Sequence, residues 1–251
     1  MPWDPKRYEQ FAEQRFLPFE DLVALINVRP GLRVIDVGCG TGELTRRLAE
    51  LLPESDVLGV DASPQMLERA REVAPGLRFE QRRIEDLSGE WDLLFSHAAL
   101  QWVEDHASLI PRLFSMVAPG GQIAVQQPSN FDQPSHTLMK AIAEEEPYAS
   151  ALSWNREWPV LGIDAYAQLL FDAGATDITV FEKVYPHVLE NADAIVDWMS
   201  GTALVPYRER LGDELFATFR ERYRALIRQR YPMSPVFFGF RRTLFAATKP
   251  A

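Results

Sequence analysis

Apolar and polar positions follow two alternating rhythms along the first half of this chain. Arg33–Gly38 (RVIDVG) is a short apolar run rich in β-branched residues with glycines behind it, which predicts a buried strand. From Gly42 the spacing changes. Leu44, Leu48, Leu51 and Leu52 fall on one helical face, and Pro53 ends it because a proline inside a helix forfeits a hydrogen bond. Val57–Val60, ending on Asp61, predicts a second strand. Ser63-Pro64 opens the next helix, with serine as N-cap, proline at the first helical position, and Met66, Leu67, Ala70 and Val73 as the inward stripe. Further strands are predicted at Leu77–Ile84, Trp91–His97 and Gln122–Gln127, with a helix over Ala107–Val117 between the last two. Strands separated by helices of roughly 10–15 residues predict an α/β fold, a parallel sheet covered on both faces.

The second half is less regular. Residues 129–160 are rich in Pro, Trp and acids and too long for a simple connection. A helix at Asp164–Ala173, a strand at Thr176–Val184, helices at Asn191–Ser200 and Arg208–Tyr231, and a last strand at Phe238–Thr248 complete the pattern. No internal repeat appears. The expectation is one domain over residues 1–251, with helical insertions at about 129–160 and 185–236 forming a cap on the substrate side.

Composition narrows the classes. Among 251 residues, 26 Lys+Arg stand against 36 Asp+Glu, a net charge of −10, which argues against nucleic acid as main partner. No apolar run reaches the ~18 residues of a membrane span, and the N-terminus lacks the apolar core of a signal peptide. The single cysteine, Cys39, excludes an internal disulfide and a cysteine-based zinc cage. The expectation is a cytoplasmic enzyme with no metal and no obligate protein partner. Charge is unevenly placed. Residues 129–200 hold 12 acids against Lys140, Arg156 and Lys183, whereas 206–242 hold nine arginines against four acids.

The strongest chemical signal is Asp36-Val-Gly38-Cys-Gly40-Thr-Gly42-Glu43, between a strand and a helix. Glycines let a ligand approach the main chain, and the helix N-terminus beyond offers unpaired N–H groups. Asp61, 19 residues after Gly42 and at the end of the next strand, is placed to accept ribose hydroxyls. The dinucleotide pattern G-x-G-x-x-G fails at Glu43. Asp36, two residues before the first glycine, suits a cationic ligand rather than a pyrophosphate.

This D-x-G-x-G-x-G pattern resembles the first motif of the class I S-adenosylmethionine-dependent methyltransferases. Trp3-Asp-Pro5 with Tyr8, Phe11, Arg15 and Pro18 narrows the likeness. So do Leu100-Gln101-Trp102 with Asp105-His106, Gln127-Pro-Ser-Asn130 with Pro134-Ser-His136, and Tyr185-Pro-His187-Val-Leu189 with Trp198 and Gly201-Thr202. With these blocks, spread from residue 3 to residue 242, the chain resembles the trans-aconitate 2-methyltransferase family. The Leu-Gln-Trp element is shared with malonyl-carrier-protein methyltransferases. The resemblance implies a Rossmann-like, mostly parallel seven-stranded sheet, and S-adenosyl-L-methionine as cofactor with S-adenosyl-L-homocysteine as product. It implies a small polycarboxylate acceptor, trans-aconitate, esterified at one carboxyl.

Carried over residue by residue, Gly38, Gly40 and Gly42, with Asp36, would line the cofactor's methionine part and Asp61 its ribose. Ala62 and Met66 would flank the adenine, and Ile84 and Glu85 would form its other wall. His97, Ala98 and Leu100 would sit near the departing methyl group, with Trp3 and Tyr8 folding over the pocket. Many class I sequences have an acid where this chain has Arg83; either Glu85 or Asp86 takes that role, or backbone groups alone read the adenine.

A carboxylate is already ionised at neutral pH, so no general base is expected and no catalytic residue is named beyond those that align the reactants. An anionic acceptor requires arginines or other donors in place of water. Arg15, His187, Tyr207 and Arg241 are the candidates; strand alternation sends Arg241 and Arg242 to opposite faces, so only one faces inward. His106 reads as a helix start on the surface and His136 as a turn residue. Trp154 and Trp158, flanking Asn155-Arg156, are either a lid over the substrate or an anchor to the core. Rival readings are a malonyl-carrier-protein methyltransferase, a nicotinamide-dependent oxidoreductase and a non-catalytic nucleoside-binding module.

Overall fold

The structure, a computed structural model, describes residues 13–154 and 156–251, with side chains from Phe16 onward. The assignments on Trp3, Tyr8 and the Arg15 side chain lie outside the described residues. The element order is α1 (Glu13–Val23), β1 (Arg33–Val37), α2 (Glu43–Leu51), β2 (Asp56–Asp61), α3 (Pro64–Val73), β3 (Arg78–Gln81), β4 (Trp91–His97), α4 (His106–Ser115), β5 (Val117–Pro128), α5 (Pro134–Ala143), α6 (Tyr148–Leu152), α7 (Ile163–Asp172), β6 (Thr176–Leu189), α8 (Ala192–Ser200), α9 (Val205–Arg230) and β7 (Val236–Thr248). Single 3₁₀ turns occur at Ile84–Asp86 and Leu100–Trp102.

Seven strands form one sheet in the order β3-β2-β1-β4-β5-β7-β6. The β3-β2-β1-β4-β5 part is parallel throughout, and β7 runs antiparallel to β5. The chain divides into two compact units. The first gathers residues 15–128, 159–183 and 242–251; the second gathers 129–158 and 184–241.

In the first unit, strand alternation sorts β1 between two cores. Val34 joins Phe19 and Leu22 of α1 and Leu48 of α2, while Ile35 and Val37 join Ile110 and Leu113 of α4 and Tyr166 and Leu170 of α7. Each sheet face is thus buried by its own helices.

The second unit has its own core. Phe216, Phe219, Tyr223 and Ile227 recur along α9 at helical spacing and meet Ile195, Val196 and Met199 of α8, Met139 and Ile142 of α5, and Phe238.

Several predicted elements differ in extent. The third strand stops at Gln81, because Ile84–Asp86 turns and Arg112 holds the Ile84 carbonyl at 2.5 Å. The 129–160 stretch contains α5 and α6. The long helix starts at Val205 and kinks at Gly212, whose φ of 71° no helix accommodates. His106 is not on the surface: it is 1% exposed, and the cap of α4 is Asp105, whose carboxylate accepts from Ser108 N. His136 is not in a turn: it lies within α5, 5% exposed.

Candidate active site

The loops leaving β1 and β4 lie where the strand order turns back on itself, the place at which α/β sheets form ligand crevices. After β1, Gly38 N and Cys39 N both donate to Val60 O at 2.8 and 2.9 Å, which folds the chain sharply across the end of β2. Gly38, Gly40 and Gly42 all have positive φ (77°, 54° and 80°), a region costly for other residues. Their roles differ. A Cβ on Gly38 would lie 2.1 Å from the Ala99 Cβ, and one on Gly42 would lie 2.9 Å from the Ala70 Cβ, so both glycines let the protein close on itself. A Cβ on Gly40 would meet nothing within 4 Å. Its missing side chain keeps open an approach to the main chain.

Asp61 stands beside that opening. Its Oδ2 accepts from Gly40 N at 3.0 Å and its Oδ1 from Ser63 N at 2.8 Å. Each oxygen keeps a further lone pair for a diol, so the carboxylate is oriented before any ligand arrives. Ala62 is exposed and Met66 half-buried, the latter donating its N–H to the Ser63 cap at 3.3 Å.

Asp36 is the buried anion of the site, 3% exposed. It shares a strand face with Val34, toward α2, where Thr45 Oγ1 donates to its Oδ2 at 2.6 Å. Desolvation, with the Asp61 charge adding to it, pushes its pKa up to about 7 against the hydrogen bond from Thr45. A cation placed nearby would restore the charge.

On the β4 side, His97 is 8% exposed and edge-on to Phe19, ring centres 6.2 Å apart. Ala98 takes φ 56°, its N–H held by Gln126 O at 2.8 Å and its carbonyl by Gln101 Nε2 at 2.7 Å. Leu100 is fully buried. Its carbonyl lies 2.9 Å from His106 Nε2, and His106 Nδ1 lies 2.5 Å from the Tyr166 hydroxyl. A carbonyl only accepts, so Nε2 carries the proton. Burial lowers the His106 pKa and keeps the ring neutral, so Nδ1 accepts from Tyr166. The same hydroxyl accepts from Gln127 Nε2 at 2.6 Å and Leu161 N at 3.0 Å. This network, which the sequence did not announce, pins the turn after β4.

After β3, Ile84 is half-buried. Glu85 is exposed, and Arg83 Nη2 donates to its Oε1 at 2.9 Å, holding its pKa below the usual carboxylate range. Arg83 is thus spent on its neighbour. Among the described residues, no group of three or more His, Cys, Asp or Glu side chains is gathered as a metal ion would need.

The acceptor candidates fall in the second unit. His187 is 8% exposed, its ring 5.0 Å from Trp198. Tyr207 is buried against Phe219, with ring centres 5.2 Å apart, and desolvation raises its pKa. The expectation for Arg241 needs correction. Its guanidinium is paired with Asp132, and Arg242 is the buried member of the pair, at 5% exposure. The other arginines of the basic stretch pair largely with acids. Arg220 meets Asp197, Arg222 meets Glu145, and Arg224 and Arg228 meet Asp193. Acids of the one stretch thus pair with arginines of the other.

A methyltransferase-domain family matches residues 29–174. The trans-aconitate 2-methyltransferase of Deinococcus radiodurans is 46% identical over all of this chain and 99% of that protein, and that of Mycobacterium marinum is 40% identical over 98% and 95%. Among solved structures, the YcgJ protein of Bacillus subtilis superposes with a TM-score of 0.62 at 15% identity, covering 94% of this chain and 99% of that one. A Haemonchus contortus phosphoethanolamine N-methyltransferase in complex with S-adenosyl-L-methionine gives 0.55 at 17%, covering 94% and 52%. These likenesses show the fold, and the open glycine at position 40, the oriented Asp61 carboxylate and the buried Asp36 suit a cofactor with a ribose and a cationic end. The chain therefore belongs to the trans-aconitate 2-methyltransferase family and is a methyltransferase whose cofactor is S-adenosyl-L-methionine.

Proposed function

We propose that the chain transfers a methyl group from S-adenosyl-L-methionine to a carboxylate oxygen of trans-aconitate, giving a monomethyl ester. The observation that carries this is the likeness to relatives named for that reaction, which extends over the second unit as well as the methyltransferase domain. The cofactor supplies a methyl group carried on a positively charged sulfur. We assign Gly38, Gly40 and Gly42 to its methionine part, with Asp36 as the buried counter-charge, and Asp61 to the ribose. Ala62, Met66 and Ile84 are assigned to the adenine. Glu85 is engaged by Arg83, so the adenine edge falls to Ile84 and its neighbouring backbone.

The acceptor carboxylate has an ordinary pKa near ~4 and arrives ionised. No proton has to move, so no side chain is required as a base. His97, edge-on to Phe19, is left with a shaping role, together with Ala98 and Leu100. What the protein contributes is alignment and exclusion of water, worth on the order of 7–11 kcal/mol in well-oriented reactions. The pairing of Arg220, Arg222 and Arg228 with acids offsets part of the positive charge of the 206–242 stretch, which favours the small free acid over the malonyl-carrier-protein reading. We place the enzyme in the cytoplasm, where such an acid and this cofactor meet.

The test is S-adenosyl-L-homocysteine release across a panel of di- and tricarboxylic acids, with the ester identified by mass spectrometry. The reading expects trans-aconitate to give the highest kcat/KM. Release with none of the acids overturns it.

A further inference from the structure

The turn after β4 is bent at both ends. Ala98 and Asp105 take φ 56° and 53°, in the left-handed region that residues with a Cβ avoid. Such strain persists only where the surroundings hold it, and it gathers at functional sites. Here hydrogen bonds hold it. Ala98 N donates to Gln126 O at 2.8 Å and Gln101 Nε2 to Ala98 O at 2.7 Å. The Asp105 carboxylate accepts from Ser108 N at 3.2 Å, and Leu100 O accepts from Val103 N and His106 Nε2, both at 2.9 Å. The turn also presses on the cofactor loop. The Ala99 Cβ lies 2.1 Å from where a Cβ on Gly38 would stand, and Ser96 Oγ donates to Val37 O at 2.8 Å.

Of these groups, His106 alone can let go by shifting a proton. A neutral imidazole carries one N–H, and the ring grips Leu100 O only while that proton sits on Nε2. Tyr166 decides which nitrogen has it. The tyrosine hydroxyl oxygen accepts from Gln127 Nε2 at 2.6 Å and from Leu161 N at 3.0 Å. With both lone pairs taken, its own proton goes to His106 Nδ1, 2.5 Å away, which must then be the acceptor.

The hydroxyl is itself fixed. Tyr166 is fully buried on α7 and stacks on Phe245, with ring centres 5.0 Å apart and planes at 23°. Burial pushes its pKa up to about 12, so it remains a donor at neutral pH. A buried tyrosine that serves packing needs one partner for its hydroxyl. This one meets groups from three separate segments, and the single bond it donates goes to the ring that holds the turn.

We propose that Tyr166 and His106 are positioning residues for methyl transfer: the tyrosine hydroxyl fixes the histidine tautomer, and the histidine holds the strained turn Ala98–Leu100 as the wall beside the methyl-bearing sulfur of the cofactor. That the wall stands at the methyl end rests on the proposed function. Neither residue touches the reactants. Loosening the turn leaves the groups assigned to adenine and ribose in place and disturbs what lies at the methyl. S-adenosyl-L-homocysteine lacks that methyl and the charge it brings, so the ratio of the two affinities reads the wall.

The experiment measures Kd by calorimetry for S-adenosyl-L-methionine and S-adenosyl-L-homocysteine on the full chain, in the parent, Tyr166→Phe, His106→Leu, His106→Gln and Leu170→Ala. Tyr166→Phe keeps the ring on Phe245 and removes one oxygen. Its Kd for S-adenosyl-L-methionine is expected to rise at least fivefold while that for S-adenosyl-L-homocysteine stays within about twofold, and kcat with trans-aconitate to fall at least tenfold. His106→Leu should behave alike. Glutamine places an amide N–H near the position of Nε2, so His106→Gln should recover most of the loss. Leu170→Ala, one turn along α7 in the same core, should lower the urea midpoint yet leave the affinity ratio and kcat unchanged. A parent-like ratio in folded Tyr166→Phe, or an equal change of ratio in Leu170→Ala, overturns the proposal. If Tyr166→Phe does not fold, equal ratios in His106→Leu and His106→Gln overturn it. The ratio needs no methyl acceptor. A Tyr166-dependent ratio in a parent that turns over no carboxylic acid therefore upholds the positioning role and removes the proposed acceptor.

Discussion

The two units carry their chemistry in different parts of the chain. In the first, the site is made largely of backbone: three left-handed glycines, N–H groups donating to Val60 and Asp61, and an alanine held at φ 56° by Gln126 and Gln101. The second unit offers instead side chains that meet from distant positions. Phe131, His136 and Lys140 come from α5 and its approach, and Arg156 and Trp158 from the segment after α6. A backbone site tolerates few substitutions but can take any ligand with the right outline. A side-chain grouping can be retuned one residue at a time.

The sharpest way to break this contrast is at the glycines, where the largest effect is expected. Gly38→Ala would drive a Cβ to 2.1 Å from Ala99 at a left-handed φ, and overpacking and torsional strain together cost about 2–5 kcal/mol. Gly40→Ala meets nothing within 4 Å and bears only the torsional cost of about 1–2 kcal/mol. Denaturant melts should separate the two. Calorimetry should then show cofactor affinity falling at least tenfold in the folded Gly40→Ala protein, and parent-like affinity there would remove the loop from the cofactor site.

Next in size is the buried Asp36. Its carboxyl titrates near 7 in the fold against about 4 in the unfolded chain, so the native state holds a proton that the unfolded state releases between those values. Its contribution to cofactor-free stability is complete below about pH 4 and is lost as pH rises through 7, by up to about 4 kcal/mol. Asp36→Asn should flatten that slope between about pH 4 and 7 in urea melts. A cationic ligand lowers the folded pKa, so S-adenosyl-L-methionine binding near pH 6.5 should release protons, read by calorimetry in buffers of different ionisation enthalpy. Equal slopes for parent and variant would dismiss the effect.

Asp61→Ala should weaken cofactor binding by about 1.5–3 kcal/mol for each ribose hydrogen bond lost. It also frees Gly40 N and Ser63 N, so Asp61→Asn, which keeps an acceptor oxygen, should lose less. Equal loss in both would mean that Asp61 acts by charge alone.

Legibility in the sequence divides along the same line. Strand β4 was readable to the residue, and so was the Ser63 cap of α3, because a period of two and a capping serine are local patterns. The placement of the glycine loop after β1 and of Asp61 at the end of β2 was readable for the same reason, since each follows from the strand before it. His106 and His136 were misjudged because their burial depends on Tyr166 and Trp158, which lie 60 and 22 residues away. Arg156 was counted as one base among many acids, and no periodicity marks a cation that will be covered by a tryptophan two residues later. The arginine run was conspicuous, but its partners Glu145, Asp193 and Asp197 lie outside it, so its pairing could not be read from it.

That pairing gives the smallest expected effect and the finest test of the comparison. Arg222 donates to both Glu145 oxygens, at 3.1 and 3.0 Å, and Arg228 to both Asp193 oxygens, at 2.9 and 2.6 Å, and all four side chains are well exposed. Exposed ion pairs are screened and weak, so Arg222→Gln and Arg228→Gln should each move the melting temperature by no more than about 1 °C. Because these guanidiniums are committed to acids of their own unit, neither variant should alter KM for trans-aconitate beyond about twofold, at low salt or at 0.15 M. The comparison sharpens if both leave it alone, since the abundance of basic side chains then does not set acceptor affinity. A several-fold rise in KM for Arg222→Gln or Arg228→Gln would return the basic stretch to the substrate, and its pairing with the acidic helices would then be an arrangement that the acceptor displaces.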